Sequence, residues 1–136
     1  EGLRLAEHKV TLAADQAGLR QKLLEAHKRA GLTPPNAKDV LEELGVSARE
    51  AAPVLRLLCE EGALVKVKDG LYYDGAALGG ILEQVRHWFA DHENLDVGGL
   101  KEILGLSRKY LIALLEYMDN ERITVRVGDQ RRYRGR

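Results

Sequence analysis

Cysteine, methionine, tryptophan and phenylalanine each occur once in this 136-residue chain, and aromatic residues make up only 5% of it. A lone Cys59 forms no internal disulfide, so no covalent staple holds the fold. Charge of one sign is missing too: 21 basic side chains meet 21 acidic ones, for a formal net charge of zero. That excludes a uniformly basic nucleic-acid coat, though not a local basic face. No stretch free of charged residues exceeds eight, as in Gly75–Leu82. A bilayer span needs about 20 apolar residues, so no membrane contact is expected. The start lacks the basic, apolar and small-residue order of a secretory signal, and a cytoplasmic setting follows by default. With Glu1 first and Met118 its only methionine, the chain is expected to be a piece of something longer.

Reactive constellations are missing as well. No paired carboxylates, nucleophile elbow or Gly-x-x-x-x-Gly-Lys-Ser/Thr loop occurs, so the chain is not expected to be an enzyme or to hold a cofactor. His8, His27, His87 and His92 are scattered without companion ligands, which argues against a metal site. Cys59, Trp88 and Phe89 read as packing residues.

What is present is a globular balance, 45% apolar and 31% charged, and a repeat. Sliding the sequence by 60 positions matches Glu42, Leu44, Gly45, Ser47, Leu55, Glu61, Val65, Val67, Asp69 and Tyr73 with Glu102, Leu104, Gly105, Ser107, Leu115, Glu121, Val125, Val127, Asp129 and Tyr133. The shared residues end helices, cap them, fill cores and turn hairpins. Two similar modules follow, 1–74 and 75–136.

Each module reads as three helices and a hairpin. In the first, Leu19, Leu23, Leu24 and His27 recur at helical spacing until Gly31, Pro34 and Pro35 stop the chain. Ala37–Leu44 forms a short helix ended by Gly45, and Ser47 with Glu50 three residues on makes a capping box for the third, with Val54, Leu55 and Leu58 inward. Leu64–Lys68 and Leu71–Tyr73 flank the turn signal Asp69-Gly70. In the second, Leu78, Ile81, Leu82, Val85, Trp88 and Phe89 mark the first helix, and Leu95–Val97 a short strand. Leu100, Ile103 and Leu104 mark the second helix; Ser107 caps the third, with Leu111, Leu114, Leu115 and Met118 as its stripe. Ile123, Val125 and Val127 alternate with Thr124 and Arg126 as in a half-buried strand. The expected fold is mostly α with small β-hairpins, two tandem winged-helix domains. Residues 1–16, with Leu3, Leu5, Val10 and Leu12, hint at extended structure and stay unplaced.

Winged helices bind DNA, RNA or protein, so the surface must decide. The first module holds 11 basic against 12 acidic residues and the second 10 against 9, yet the charge is distributed differently. The third helix opens Ser47-Ala48-Arg49-Glu50 in the first module and Ser107-Arg108-Lys109-Tyr110 in the second. Two cations at a helix start oppose its dipole, and together with free N–H groups they suit a phosphate. The first hairpin balances Lys66 and Lys68 against Asp69 and Asp74. The second carries Arg126, Arg131, Arg132, Arg134 and Arg136 against Asp129 alone. A DNA reader would bury the third helix in a major groove, where Glu116 and Asp119 would meet phosphates. Contact by the helix start and wing alone suits an RNA hairpin better.

The run Leu95–Asp119, with Gly-Leu-Ser-Arg-Lys and Leu-Glu-Tyr-Met-Asp inside it, then Arg122–Asp129 and Arg131-Arg132-Tyr133, resembles the terminal winged helix of the bacterial selenocysteine-specific elongation factors. The first 74 residues resemble the penultimate winged helix of the same arm more weakly. The resemblance implies that the terminal module binds the messenger-RNA hairpin called the selenocysteine insertion element, while the other spaces it from the ribosome. It implies RNA contacts from Lys101, Ser107, Arg108, Lys109, Arg122, Arg126, Arg131 and Arg132, mostly to phosphate, with a base contact at Arg108 or a neighbouring backbone group. The family's GTPase and tRNA-binding parts have no counterpart motif here. A monomer is expected. The rival readings are a DNA-binding regulator, which would be dimeric on palindromes, and a protein-docking module.

Overall fold

Helices of 8 to 17 residues account for most of the computed structural model, which describes residues 17–134. The extended segment expected in residues 1–16 lies outside the described residues. The elements run α1 (residues 17–30), α2 (Ala37–Leu44), α3 (Ala48–Glu61), β1 (Leu64–Lys68), β2 (Leu71–Asp74), α4 (Gly75–Asp91), α5 (Val97–Leu104), α6 (Arg108–Asn120), β3 (Thr124–Val127) and β4 (Gln130–Tyr133). The chain divides into two compact units, one reaching Lys66 and including Gly70–Asp74, the other holding Val67–Asp69 and Gly75 onward. Three helices and a two-stranded hairpin recur in both, the winged-helix plan twice over. No described helix is long and apolar enough to cross a membrane.

In the first unit, Leu23, Val40, Leu41, Ala51, Val54, Leu55, Leu58 and Leu64 form one buried cluster. Gly45 ends α2 at φ 71°, in the left-handed region where glycine has no Cβ to clash. Ser47 caps α3: its hydroxyl accepts the Glu50 N–H at 3.1 Å, and the Glu50 carboxylate accepts the Ser47 N–H at 3.0 Å. His27 is buried, with Nδ1 donating to the Leu23 carbonyl at 2.7 Å. Tyr73 is buried too and donates its hydroxyl proton to the Leu32 carbonyl at 2.9 Å.

In the second unit, Leu78, Ile81 and Val85 of α4 and Leu111, Leu114, Leu115 and Met118 of α6 supply the buried stripes. The Asp96 carboxylate caps α5 by accepting the Gly99 N–H at 2.8 Å. β3 and β4 pair antiparallel with Val127 opposite Gln130 and Arg126 opposite Arg131.

Three details depart from the sequence reading. Leu95–Val97 is no strand: only Leu95 pairs, exchanging both backbone hydrogen bonds with Arg131 at 2.7 and 2.9 Å, and Val97 already opens α5. The 60-residue offset puts Pro35 where Leu95 stands, and proline has no N–H for the matching exchange. Ser107 precedes α6 in extended conformation, but its side chain makes no cap hydrogen bond. The third helical residue there is Tyr110, which lacks the carboxylate that completes the box at Ser47. In β3 only Thr124 is buried, at 1% exposed, whereas Val125 and Val127 are 40% and 55% exposed. Alternation fixes which residues share a face; the partner beneath fixes which face is buried. That partner is Asp119, whose carboxylate takes the Thr124 hydroxyl.

Candidate nucleic-acid interface

Arg108, Ile112 and Glu116 follow one another at four-residue spacing, so the α-helical repeat places them in one row, clear of the core stripe on α6. That row forms one wall of a cleft of about 450 Å³. Asp96, Val97 and Gly98 from the start of α5 form a second wall, and Arg126, Asp129 and Arg131 from the hairpin a third. Arg126 and Arg131 are cross-strand partners, so both project from the same face of the hairpin.

The three arginines differ in freedom. Arg108 is exposed at the first residue of α6, where no acidic residue occupies the first turn. Arg126 is exposed, its Nε donating to the Gly128 carbonyl at 3.0 Å, which holds the stem against the hairpin turn. Arg131 is only 5% exposed. Its Nε and Nη2 donate to Oδ2 of Asp119 at 3.2 and 3.0 Å, and Thr124 donates to the other carboxylate oxygen at 2.6 Å. Arg131, expected from the sequence as an RNA contact, thus lines the cleft with its guanidinium held by Asp119. Asp119, partly exposed, is engaged by that guanidinium and the Thr124 hydroxyl.

The remaining expected contacts stand outside the cleft lining. Ser107 and Lys109 are exposed beside Arg108, with the Lys109 ammonium 5.2 Å from the Tyr110 ring centroid. Lys101 is exposed in the last turn of α5. Arg122 is exposed at the corner after α6 with φ 62°, the sole non-glycine residue of positive φ among those described. Arg132 is exposed on the opposite hairpin face and reaches the Glu93 carboxylate at 3.5 Å. The cleft is of mixed sign. Asp96 is occupied in capping α5, while Glu116 and Asp129 offer acceptors beside the guanidinium donors and the apolar Ile112 and Val97. Among the described residues no group of His, Cys, Asp and Glu could hold a metal ion.

Comparison with known proteins places this geometry. The model of the winged helix of elongation factor SelB matches residues 87–133. The selenocysteine-specific elongation factor of Desulfomicrobium baculatum is 42% identical over 134 residues, 98% of this chain. The chain belongs to the selenocysteine-specific elongation factor family. It spans about a fifth of that relative, 21% of its length. Among solved structures, the mRNA-binding domain of SelB from E. coli, determined in complex with SECIS RNA, superposes with a TM-score of 0.75 at 23% identity, over 88% of this chain and 96% of that one. A bacterial selenocysteine-specific elongation factor superposes with a TM-score of 0.68 at 28% identity, over 85% of this chain and 18% of that one.

For a SelB-type winged helix, the sequence reading missed the cleft's own shape. Ile112 and Glu116 were legible through their spacing from Arg108. Asp96 and Val97 were not, because their approach to the hairpin depends on the Leu95–Arg131 pairing.

Proposed function

We propose that this chain binds an RNA hairpin, the selenocysteine insertion element of messenger RNA, through its second unit. The observation that carries the reading is the convergence of Arg108, from the helix start, and Arg126, from the wing, on one cleft. Ser107 and Lys109 meet the phosphate backbone together with the free N–H groups of the first turn of α6, and Arg126 meets it from the wing. Arg122 extends that contact at the corner, and Lys101 and Arg132 lie at its margin. A cleft with guanidinium donors, carboxylate acceptors and apolar walls suits the edge of an unstacked base more than a second phosphate, which Glu116 and Asp129 would repel. Arg108 is assigned the base contact. The first unit, whose exposed charges balance, acts as a spacer, and attachment to the ribosome belongs to the longer protein.

Titration of a labelled, bulged RNA hairpin tests this. Affinity is expected to fall with salt, and Arg108→Ala to weaken binding by about 1–3 kcal/mol and to relax discrimination at one base. Equal affinity for duplex DNA in competition, or no RNA binding at low salt, overturns it.

A further inference from the structure

The 60-residue repeat exposes a substitution inside the core. Asp119, Thr124 and Arg131 of the second unit stand where the first unit has Cys59, Leu64 and Leu71. Leu64 and Leu71 are fully buried, and Leu64 belongs to the apolar cluster with Val54, Leu55 and Leu58 of α3. The second unit has a carboxylate, a hydroxyl and a guanidinium at these positions. A buried ion pair is commonly no more stabilising than well-packed apolar residues of similar volume, because desolvation offsets its attraction. The triad differs in being directional. Apolar packing tolerates sliding and rotation, while hydrogen bonds to both oxygens of one carboxylate do not.

Four segments meet at the triad. Asp119 belongs to the last turn of α6, Thr124 opens β3, Arg131 lies in β4, and the Arg131 backbone exchanges both hydrogen bonds with Leu95 just before α5. The same segments carry the cleft walls. Arg126 is the cross-strand partner of Arg131, so fixing Arg131 to α6 fixes Arg126 relative to Arg108.

We infer that Asp119 and Thr124 are positioning residues: by holding Arg131 they set the distance and angle between the wing and α6, and so the affinity for RNA. This rests on the proposed RNA-binding reading. The test transplants the first unit's residues in a triple variant, D119C/T124L/R131L. It is expected to unfold cooperatively in urea with stability equal to or above that of the unaltered chain. Its hairpin affinity is expected to fall at least about tenfold, and its log–log salt slope to shrink by about one as Arg126 leaves the shared phosphate path. Wing amides are expected to exchange at least about tenfold faster while α6 amides keep their protection. Arg131→Lys gives a second variant that keeps the charge but loses the planar fork. It is expected to fold and to bind more weakly with the same direction of change, and it decides the matter if the triple variant does not fold.

Unchanged affinity and slope in a folded variant, with the unaltered chain binding normally, overturn the inference and leave RNA binding standing. Absence of binding by the unaltered chain defeats the RNA reading instead. The inference then stands or falls on wing amide exchange alone.

Discussion

Arg122 occupies, at φ 62°, the corner after α6 that Gly62 occupies, at φ 81°, after α3. The hydrogen bonds around the two corners correspond: Gly62 N–H to the Cys59 carbonyl and Ala63 N–H to Leu58, Arg122 N–H to the Asp119 carbonyl and Ile123 N–H to Met118. One backbone solution is used twice, once with the residue that suits it and once with an arginine that pays strain for its place. Residues in the left-handed region other than glycine cost about 1 kcal/mol or more and concentrate at functional positions. Arg122→Gly is therefore expected to raise stability by about 0.5–1 kcal/mol in urea unfolding. RNA affinity is expected to fall a few-fold with a shallower salt slope. Destabilisation by the glycine would show that the arginine side chain supports the corner itself.

Ser47 and Ser107 also share a position and differ in engagement. Ser47 takes part in a complete capping box, so Ser47→Ala is expected to cost about 1 kcal/mol. Ser107 makes no side-chain cap bond, and Ser107→Ala is expected to cost under about 0.5 kcal/mol. Its effect belongs in RNA affinity, where loss of a phosphate donor is expected to weaken binding about three- to tenfold. Equal stability losses at both serines would place the Ser107 hydroxyl on the helix.

Much of this fold was legible because its signals are local. Helix α2 begins and ends at the residues that Gly45 and the apolar spacing dictate, and the capping box at Ser47 is formed as its four-residue pattern requires. The stripe Leu111, Leu114, Leu115 and Met118 is buried throughout. Legibility failed where a residue's environment is set by a distant partner. Arg131 and Thr124 read as surface and strand-filler until Asp119, twelve and five residues away respectively, is placed beneath them. Valines outward and an arginine inward reverse what hydropathy suggests, since a satisfied polar triad outweighs two small apolar side chains at this face. The cleft was half legible: its cations, Glu116 and Asp129 were named, but the wall formed by Asp96, Val97 and Gly98 was not.

Adjacent glycines at the start of α5 are expected to respond with opposite sign. A Cβ on Gly98 would meet only the Asp96 carboxylate, at 3.6 Å, an ordinary contact. Gly98→Ala is therefore expected to stabilise by about 0.5–1 kcal/mol through helix propensity. A Cβ on Gly99 would lie 3.0 and 3.3 Å from carbons of the Trp88 ring and 3.2 Å from Leu95 Cδ1. That ring is held in place, its Nε1 donating to the Asn94 carbonyl at 2.9 Å and its face stacked on His92 at 3.7 Å. Gly99→Ala is expected to destabilise by about 1–2 kcal/mol. Trp88 is the only tryptophan, so a change in fluorescence reports its displacement directly. Equal responses at the two glycines would mean that the ring yields freely.

Cys59, the residue that stands in the place of Asp119, faces a groove of the first unit together with Leu55 and Tyr72. Burial pushes its thiol above the ordinary value of 9.0, against opposing contributions from the Lys66 backbone N–H and charge. The native state thus holds the thiol proton more tightly than the unfolded chain does. Stability associated with the neutral thiol is fully present below about pH 9 and declines as pH rises toward the folded value. Two measurements check this. Alkylation by iodoacetamide at pH 8 is expected to run several-fold slower in the native chain than in urea, because less thiolate is present and access is restricted. The stability difference between the unaltered chain and Cys59→Ala is expected to shrink between pH 8 and pH 10. A difference independent of pH, with native and unfolded chains alkylated at one rate, would place the thiol in a water-like environment.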